Sequence, residues 1–401
     1  MAKNVNMKGV DRISGLPDSI LSHILSFLST EEAVQTSVLS KRWRNLFTLV
    51  SNLNFEFDEK HIHWRKRHKS STVRTFMCFV DRVLFFHAAN VDNFRLKCGK
   101  RVDSDRIYGW ISAAIRRGVK HLDLNISLDK FTFPGALFSC RTLVSLKLET
   151  GFVLDVPKGV HFPNLETLHL YKVKFLNDDS VKNLFSSCTS LADVVICRCN
   201  MKNISSFNIS HHSLKRLTIL YSFDGSNCWF MIDTPNLAYF RYNDDMVAGY
   251  SLENLESIVK ADIQFSIKYD DNQADMTSIF QGVSMASSLS LCATSLKLLL
   301  SCEPLPVFST MVELNIWPVN LWLGHSIDKG LELLLSRSPQ LEKLCFFQQL
   351  LISLPEEVPS CLLSKLKAIY ILSFKNDEDC MRKAKYILKN GGALENFTIR
   401  T

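Results

Sequence analysis

Long apolar runs and glycine are both scarce in this sequence. No stretch approaches the roughly 18 consecutive apolar residues of a membrane-spanning helix, so neither such a helix nor a membrane partner is expected. Glycine accounts for only 15 of 401 residues, which argues against glycine-rich cofactor loops as an organising theme. Residues 1–10 are polar, so no secretory signal is expected. The 12 cysteines are therefore predicted to be reduced thiols in the nucleus and/or the cytoplasm.

Signatures of catalysis are also missing. The sequence contains no P-loop, dinucleotide fingerprint or H-E-x-x-H motif, and no G-x-S-x-G motif. Cys188, Cys197 and Cys199, with His211 and His212 nearby, suggest zinc, but the C-x-C spacing is unlike that of common structural zinc sites. Cys197 and Cys199 are predicted to share one face of a strand as core thiols. No metal, cofactor or enzyme activity is expected, although sequence alone leaves a cysteine nucleophile open.

The charge balance gives little indication of a partner. Lysine and arginine total 47 against 40 acidic residues, a net charge of +7 that does not by itself imply nucleic acid. The one dense basic run is KHIHWRKRHKS at residues 60–70. It could bind a phosphate backbone, serve as a nuclear import signal, or be a solvated loop between modules. The loop is favoured because one short patch is weak support for nucleic acid.

The most informative stretch is residues 16–47, which is predicted to form three short helices. Pro17 suits a first helical position, and Asp18 suits the first turn because its charge complements the helix dipole. Ser29 and Glu32 have the spacing of a capping box, and Ser40 can cap a third helix. A module this small usually needs a partner to bury its apolar side chains. It could therefore cap the rest of the chain or dock on another protein.

This stretch resembles the F-box. The resemblance is carried by Leu16-Pro17, the pairs Ile20-Leu21 and Ile24-Leu25, Leu28, Ala33, Ser37 to Ser40, and Lys41 to Arg44. In that family the module binds a Skp-type adaptor and so joins a cullin-RING ubiquitin ligase. The resemblance implies that the adaptor is bound by Leu16, Pro17, Ile20, Leu21, Ile24, Leu25, Leu28, Val38 and Trp43.

An internal repeat follows. The motif L-x-x-L-x-L, with other apolar residues allowed, begins at Val119, Leu143, Leu165, Leu191, Leu214, Leu237, Ile258, Met311 and Leu341. Leucine-rich repeats have periods of about 20 to 29 residues, which the early copies match. The L-x-L parts are predicted to be parallel strands on a concave face, with short helices such as residues 180–188 behind them. The register is unclear over 264–310, where Asp270 to Asn272 could form a loop tip and Leu296-Leu299 a degenerate copy.

The C-terminal stretch, residues 351–401, predicts a strand after Leu366, a helix over 378–390 and a last strand motif at Leu394-Phe397-Ile399. A solenoid needs a modified last repeat to cover its open end. The stretch also resembles the FBD domain, through Val358-Pro359, Cys361 to Leu363, Leu366-Lys367, Tyr386 to Asn390 and Leu394.

The predicted fold is α/β: an N-terminal three-helix F-box, then an irregular leucine-rich-repeat solenoid with a C-terminal FBD-type capping unit. The predicted domains are an F-box (11–57), a basic linker and N-terminal cap (58–118), leucine-rich repeats (119–350) and the FBD (351–401). The resemblance implies a substrate-recognition subunit of a Skp-cullin-F-box ubiquitin ligase, which binds a target protein for ubiquitination and proteasomal degradation. The alternative is a repeat protein that binds protein or nucleic acid outside any ligase.

Overall fold

A computed structural model describes residues 11–57, 69–128, 131–223, 227–266, 276–317, 326–347, 358–373 and 378–400. The chain divides into two compact units, Met1–Phe152 and Val153–Thr401. Residues 60–68 of the basic run and the predicted loop tip at 270–272 lie outside the described residues. No helix in the described ranges has the length and apolar character needed to cross a membrane.

The first unit begins with a helical module. It comprises α1 (Asp18–Leu25), α2 (Thr30–Gln35) and two 3-10 segments, Thr36–Val38 and Trp43–Leu49. Pro17 is the N-cap residue of α1 and so lies one position before its predicted place. The capping box is confirmed, since the Ser29 N–H donates to Glu32 Oε2 over 2.9 Å and the Glu32 N–H donates to Ser29 Oγ. The third helix is a 3-10 segment preceded by Arg42 without a side-chain cap, so the prediction for Ser40 was wrong.

Strands and helices alternate through the rest of the first unit. They are β1 (Asn52–Glu56), α3 (Lys69–Phe86), β2 (Asn93–Cys98), α4 (Ser104–Arg116), β3 (His121–Ile126), a 3-10 segment (Gly135–Ser139) and β4 (Ser145–Glu149). The four strands are parallel and pair in chain order. Their alternate side chains form the core, and the in-register row Leu53, Phe94, Leu122 and Leu146 is at most 3% exposed.

The second unit contains, in chain order, β5 (Val153–Leu154), β6 (Thr167–Tyr171), β7 (Lys174–Phe175), α5 (Asp178–Ser186), β8 (Asp193–Cys197), β9 (Ser206–Ser210), β10 (Arg216–Leu220), β11 (Trp229–Asp233), β12 (Tyr239–Asp245), β13 (Gly249–Glu253), β14 (Lys260–Ser266), α6 (Thr277–Gly282), β15 (Ser288–Cys292), α7 (Ala293–Leu299), β16 (Glu313–Trp317), α8 (Ser326–Ser336), β17 (Lys343–Phe346), α9 (Ser360–Ser364), β18 (Ala368–Ile371), α10 (Glu378–Asn390) and β19 (Asn396–Ile399). Its main sheet is parallel, in the order β6-β8-β10-β12-β14-β15-β16-β17-β18-β19. A smaller parallel sheet, β13-β11-β9, and the pair β5-β7 lie outside the main sheet.

The repeat motif explains this sheet. The first apolar residue of each copy is buried before its strand, as Leu165, Leu191, Leu214 and Leu237 are at 0% exposure. The L-x-L residues then alternate inward, which gives burial on every second position of strands such as β8 and β10. Aromatic side chains fill the core, and Phe207 and Phe230 stack with ring centres 5.9 Å apart.

Residues 276–300 correct one prediction. Leu296 and Leu299 lie on helix α7 and not on a strand. The strand copy is Ala286-Leu289-Leu291, and its last two residues lie on β15 and pair with β14 and β16. Alanine in the first position concealed this copy, while the helix reproduced the three-residue leucine spacing by coincidence.

Candidate functional site

The core of the helical module takes up part of the predicted site. Leu21, Leu25 and Trp43 are 0%, 1% and 8% exposed, and they pack with Ala33, Leu46 and Val50. Leu16 is partly buried against the same cluster. These four predicted adaptor-binding residues therefore hold the helices together, and the three buried side chains are not available for direct contact in this structure.

The other five predicted residues are exposed. Pro17 is exposed, and Ile20, Ile24, Leu28 and Val38 are 46%, 39%, 40% and 87% exposed. The structure adds two apolar residues to this set that sequence reasoning missed: Phe27 and Leu39, which are 77% and 66% exposed. The signal for Phe27 was present, because it follows Ile24 by three residues and so continues the stripe past the end of α1. We refer to the apolar surface as Pro17, Ile20, Ile24, Phe27, Leu28, Val38 and Leu39.

Polar contacts fix the helices that carry the apolar surface. Arg42 Nη2 donates to the backbone oxygen of Leu16 over 2.6 Å and to Asp18 Oδ1 over 3.0 Å. The indole N–H of Trp43 donates to Ser14 Oγ over 2.7 Å. These bonds join the last 3-10 segment to the start of α1, so the exposed side chains are presented from a fixed framework.

The module also packs on the rest of its own unit. The Asn54 N–H of β1 donates to Thr30 Oγ1 of α2 over 2.7 Å. The backbone oxygen of Thr48 accepts from the N–H groups of Ala88 and Ala89, just beyond α3. The module therefore caps the strands of the first unit and still leaves an apolar surface open to solvent. Large exposed apolar patches on soluble proteins commonly mark interaction sites.

The solvent face of the main sheet in the second unit carries charges that are paired between neighbouring strands. Arg216 Nη2 lies 2.7 Å from Asp193 Oδ2, Arg241 Nε lies 3.1 Å from Asp262 Oδ2, and Lys343 Nζ lies 2.7 Å from Glu313 Oε1. Burial raises the pKa of Asp262, whose side chain is only 10% exposed. Ion pairs between neighbouring strands therefore line this part of the sheet.

Two of the cysteines considered for zinc make other contacts. Cys188 Sγ donates to the backbone oxygen of Leu184 over 3.3 Å, and Cys199 Sγ donates to that of Leu170 over 3.5 Å. Burial raises the pKa of Cys188 to about 11 and that of Cys199 to about 12. Within the described ranges, no three His, Cys, Asp or Glu residues are grouped as metal ligands.

The prediction that Cys197 and Cys199 share one strand face was wrong. Cys197 is partly exposed on the solvent face of β8, whereas Cys199 is 3% exposed in the core. The cause is Arg198, whose φ of 53° places it in the left-handed region. That conformation turns the chain out of the strand, so the two-residue periodicity of a strand ends at Cys197.

Comparisons with known proteins agree with this architecture. Three family models match the chain: the F-box domain over residues 13–55, the LRR repeats of the FBD-associated F-box protein At5g56370 over 107–263, and the FBD over 354–399. The predicted domain boundaries themselves stay predictions. The strand motif begins before residue 119, where the repeats were predicted to start, since Val91-Phe94-Leu96 forms a copy at β2.

Curated relatives from Arabidopsis thaliana match nearly the whole chain. The F-box/LRR-repeat protein At4g14096 is 34% identical over 97% of this chain and 87% of its own length. The F-box/LRR-repeat protein At3g59200 is 33% identical over 97% of this chain and 82% of its own length. The putative F-box/FBD/LRR-repeat protein At3g59240 is 31% identical, with coverages of 97% and 83%. The chain belongs to the plant F-box/FBD/LRR-repeat protein family.

Proposed function

We propose that this protein is a substrate-recognition subunit of a Skp-cullin-F-box ubiquitin ligase. The observation that carries the proposal is the apolar surface. It is exposed on a helical module whose core is complete without it, so those side chains are free for a Skp-type adaptor. The repeats of the second unit would hold the target protein. We place this activity in the nucleus and/or the cytoplasm.

In this role the chain does no bond chemistry of its own. Holding a target lysine near a ubiquitin thioester carried by another subunit turns a bimolecular encounter into a local one, an effect that can be worth several kcal/mol. The described polar groups fit such a receptor, because the charges of the sheet face are paired and the buried thiols have raised pKa values. Ubiquitination of the target and its proteasomal degradation would follow.

The test is co-expression of the full chain with a Skp-type adaptor, followed by size-exclusion chromatography. The informative variant is Ile24→Asp with Val38→Asp, because both side chains are exposed. A change at Leu25 would be a poor choice, since Leu25 is 1% exposed and a charge there would disrupt the module core. The matched control is Lys202→Asp with Lys215→Asp, two exposed positions in the second unit.

We expect a stable one-to-one complex with the unchanged chain and with the control, and loss of the complex with the variant. Circular dichroism of the variant should match that of the unchanged chain. Absence of any complex from a folded chain would contradict the proposal, and a non-ligase repeat protein would then be the better interpretation. Survival of the complex in the variant would contradict the assigned surface.

A further inference from the structure

A second group of exposed or partly exposed side chains lies on the repeats of the second unit. Tyr171, Lys172, Arg198 and Tyr221 lie at the carboxyl ends of β6, β8 and β10, and together they form what we term the tyrosine–cation cluster. Arg198 Nη1 donates to the Tyr171 hydroxyl over 3.2 Å, and the guanidinium carbon lies 5.9 Å from the centre of the Tyr221 ring. Lys172 Nζ lies 5.2 Å from the centre of the Tyr171 ring. Cations at these distances are attracted to aromatic rings.

The backbone presents this cluster in an unusual way. Lys172, Arg198 and Tyr221 have φ values of 54°, 53° and 52°, in a region that residues other than glycine, asparagine and aspartate seldom adopt. The N–H of each donates to the backbone oxygen of the next strand, at 2.9, 2.7 and 2.8 Å respectively. Three successive repeats therefore use the same turn and place a long side chain on it. Strained conformations of this kind are often retained where the side chain has a function.

The charges of the cluster differ in their pairing from three other cations on the sheet. Arg216, Arg241 and Lys343 each have a carboxylate on a neighbouring strand. Among the described residues, neither Lys172 nor Arg198 has a carboxylate within ion-pair distance.

Asp244 is an acid that acts on this region from the core side. Asp244 affects the pKa of Cys197, which also responds to Arg198 and Lys172. The Asp244 carboxylate is 1% exposed and accepts hydrogen bonds from the backbone N–H groups of Ser222 and Phe223. This carboxylate is buried, whereas the exposed Lys172 and Arg198 side chains each carry a positive charge.

We infer that the tyrosine–cation cluster binds an acidic segment of the target protein. This rests on the proposed function, because the target is held by the repeats. The two tyrosines already position the guanidinium, so it loses less conformational entropy on binding a carboxylate than a freely moving arginine would. Its planar fork of N–H donors also matches the two oxygens of a carboxylate. The tyrosine rings supply flat apolar area beside the charges. Two cations are too few for a nucleic-acid backbone, which usually needs several phosphate contacts.

The experiment measures fluorescence anisotropy of labelled peptides with the full chain in complex with its adaptor. The probe is fluorescein-labelled hexaglutamate, compared with hexaglutamine and with a labelled oligothymidine of about six nucleotides. The variant is Lys172→Asn with Arg198→Asn, since asparagine tolerates the left-handed conformation and so removes the cations without adding backbone strain. The control is Lys202→Asn with Lys215→Asn, which removes the same charge from exposed positions outside the cluster.

We expect hexaglutamate to bind and the variant to weaken it by about tenfold, equivalent to about 1.4 kcal/mol, with little change in the control. Three results would overturn the inference: no binding of hexaglutamate, an equal loss in variant and control, or a preference for oligothymidine. Size-exclusion chromatography of the same samples reports adaptor binding separately. Failure of the peptide arm with an intact adaptor complex would therefore leave the proposed function standing.

Discussion

The Trp43 indole N–H and the Ser14 hydroxyl oxygen are 2.7 Å apart and form a hydrogen bond across 29 residues of chain. We expect Ser14→Ala to destabilise the helical module by about 1 to 3 kcal/mol, because the N–H of the 8%-exposed Trp43 then has no partner. Native-state hydrogen exchange of the amides in 18–49 would measure this as faster opening. Trp43→Ala should cost more, about 3 to 5 kcal/mol, because it also leaves a cavity.

The control for this prediction is the pair Ser14→Ala with Trp43→Phe. Removing both the donor and the acceptor leaves no unpaired group, so the double change should cost less than the sum of the two single changes. Additive costs would show that the hydrogen bond contributes nothing to the module.

The capping box makes a second prediction. Ser29→Ala removes the oxygen that accepts from the Glu32 N–H, and we expect a loss of about 1 kcal/mol from α2. Hydrogen bonds from the backbone and side chain of Ser29 lower the pKa of Glu32 below its ordinary value of 4.5. The contribution of these bonds is therefore complete above pH 4.5 and is lost as the pH falls through the lowered value. Only the bond from Ser29 Oγ to the Glu32 carboxylate is both removed by the substitution and dependent on pH. The hydrogen-exchange rates of α2 in the two proteins, corrected for intrinsic rates, should therefore differ most at neutral pH, and the difference should shrink in acid.

His87 makes the first unit sensitive to pH. Its side chain is 5% exposed, and within the described ranges neither ring nitrogen makes a hydrogen bond of normal geometry, although the backbone of Asn90 lies close enough to act on the ring. Burial, with the positive charge of Arg117 adding to it, lowers the pKa of His87 from 6.5 to about 4. Between these values the unfolded chain binds a proton that the folded chain does not. Stability should therefore be complete above about pH 6.5 and fall by up to about 3 kcal/mol as the pH drops towards 4.

Urea unfolding of the full chain at about pH 7 and pH 5, monitored by a probe in the first unit, would measure this effect. His87→Leu is the control, because it fills the buried position with an apolar side chain and removes the titrating group. We expect the urea midpoint of this variant to depend much less on pH over that interval. An unchanged pH dependence would mean that other groups are responsible.

How far the sequence predicts the fold depends on whether a feature is local. Leu168 and Leu170 alternate within a strand and follow Leu165, so the motif by itself places them on β6, as the structure confirms. The copy at Val50-Leu53-Phe55 escaped detection because α3 and the basic run separate it from the next copy by more than one ordinary period.

The site was harder to predict, because both Ile24 and Leu25 belong to the stripe. The stripe alone cannot show which of the two faces Trp43 and which faces solvent. That choice is made by the distant contacts of Arg42 and Trp43 with the start of the module. The tyrosine–cation cluster was invisible in the sequence for the same reason, since Tyr171, Arg198 and Tyr221 come from three repeats.

A pair of helical glycines provides the last prediction. A Cβ on Gly330 of α8 would lie 2.0 Å from the backbone oxygen of Leu296 on α7, so only glycine allows these two helices to pack as closely as they do. Gly109 of α4 has nothing within 4 Å of the same position. Helix propensity alone favours alanine at both sites by up to about 1 kcal/mol.

We expect Gly109→Ala to stabilise the first unit by up to that amount, and Gly330→Ala to destabilise the second unit by about 1 to 3 kcal/mol, because α7 and α8 must move apart. Urea unfolding of the full-length variants would measure both changes with probes in the two units. The chemical change is identical at the two sites. Changes of opposite sign in the free energy of unfolding would therefore support close packing at Gly330, whereas stabilisation by both substitutions would contradict it.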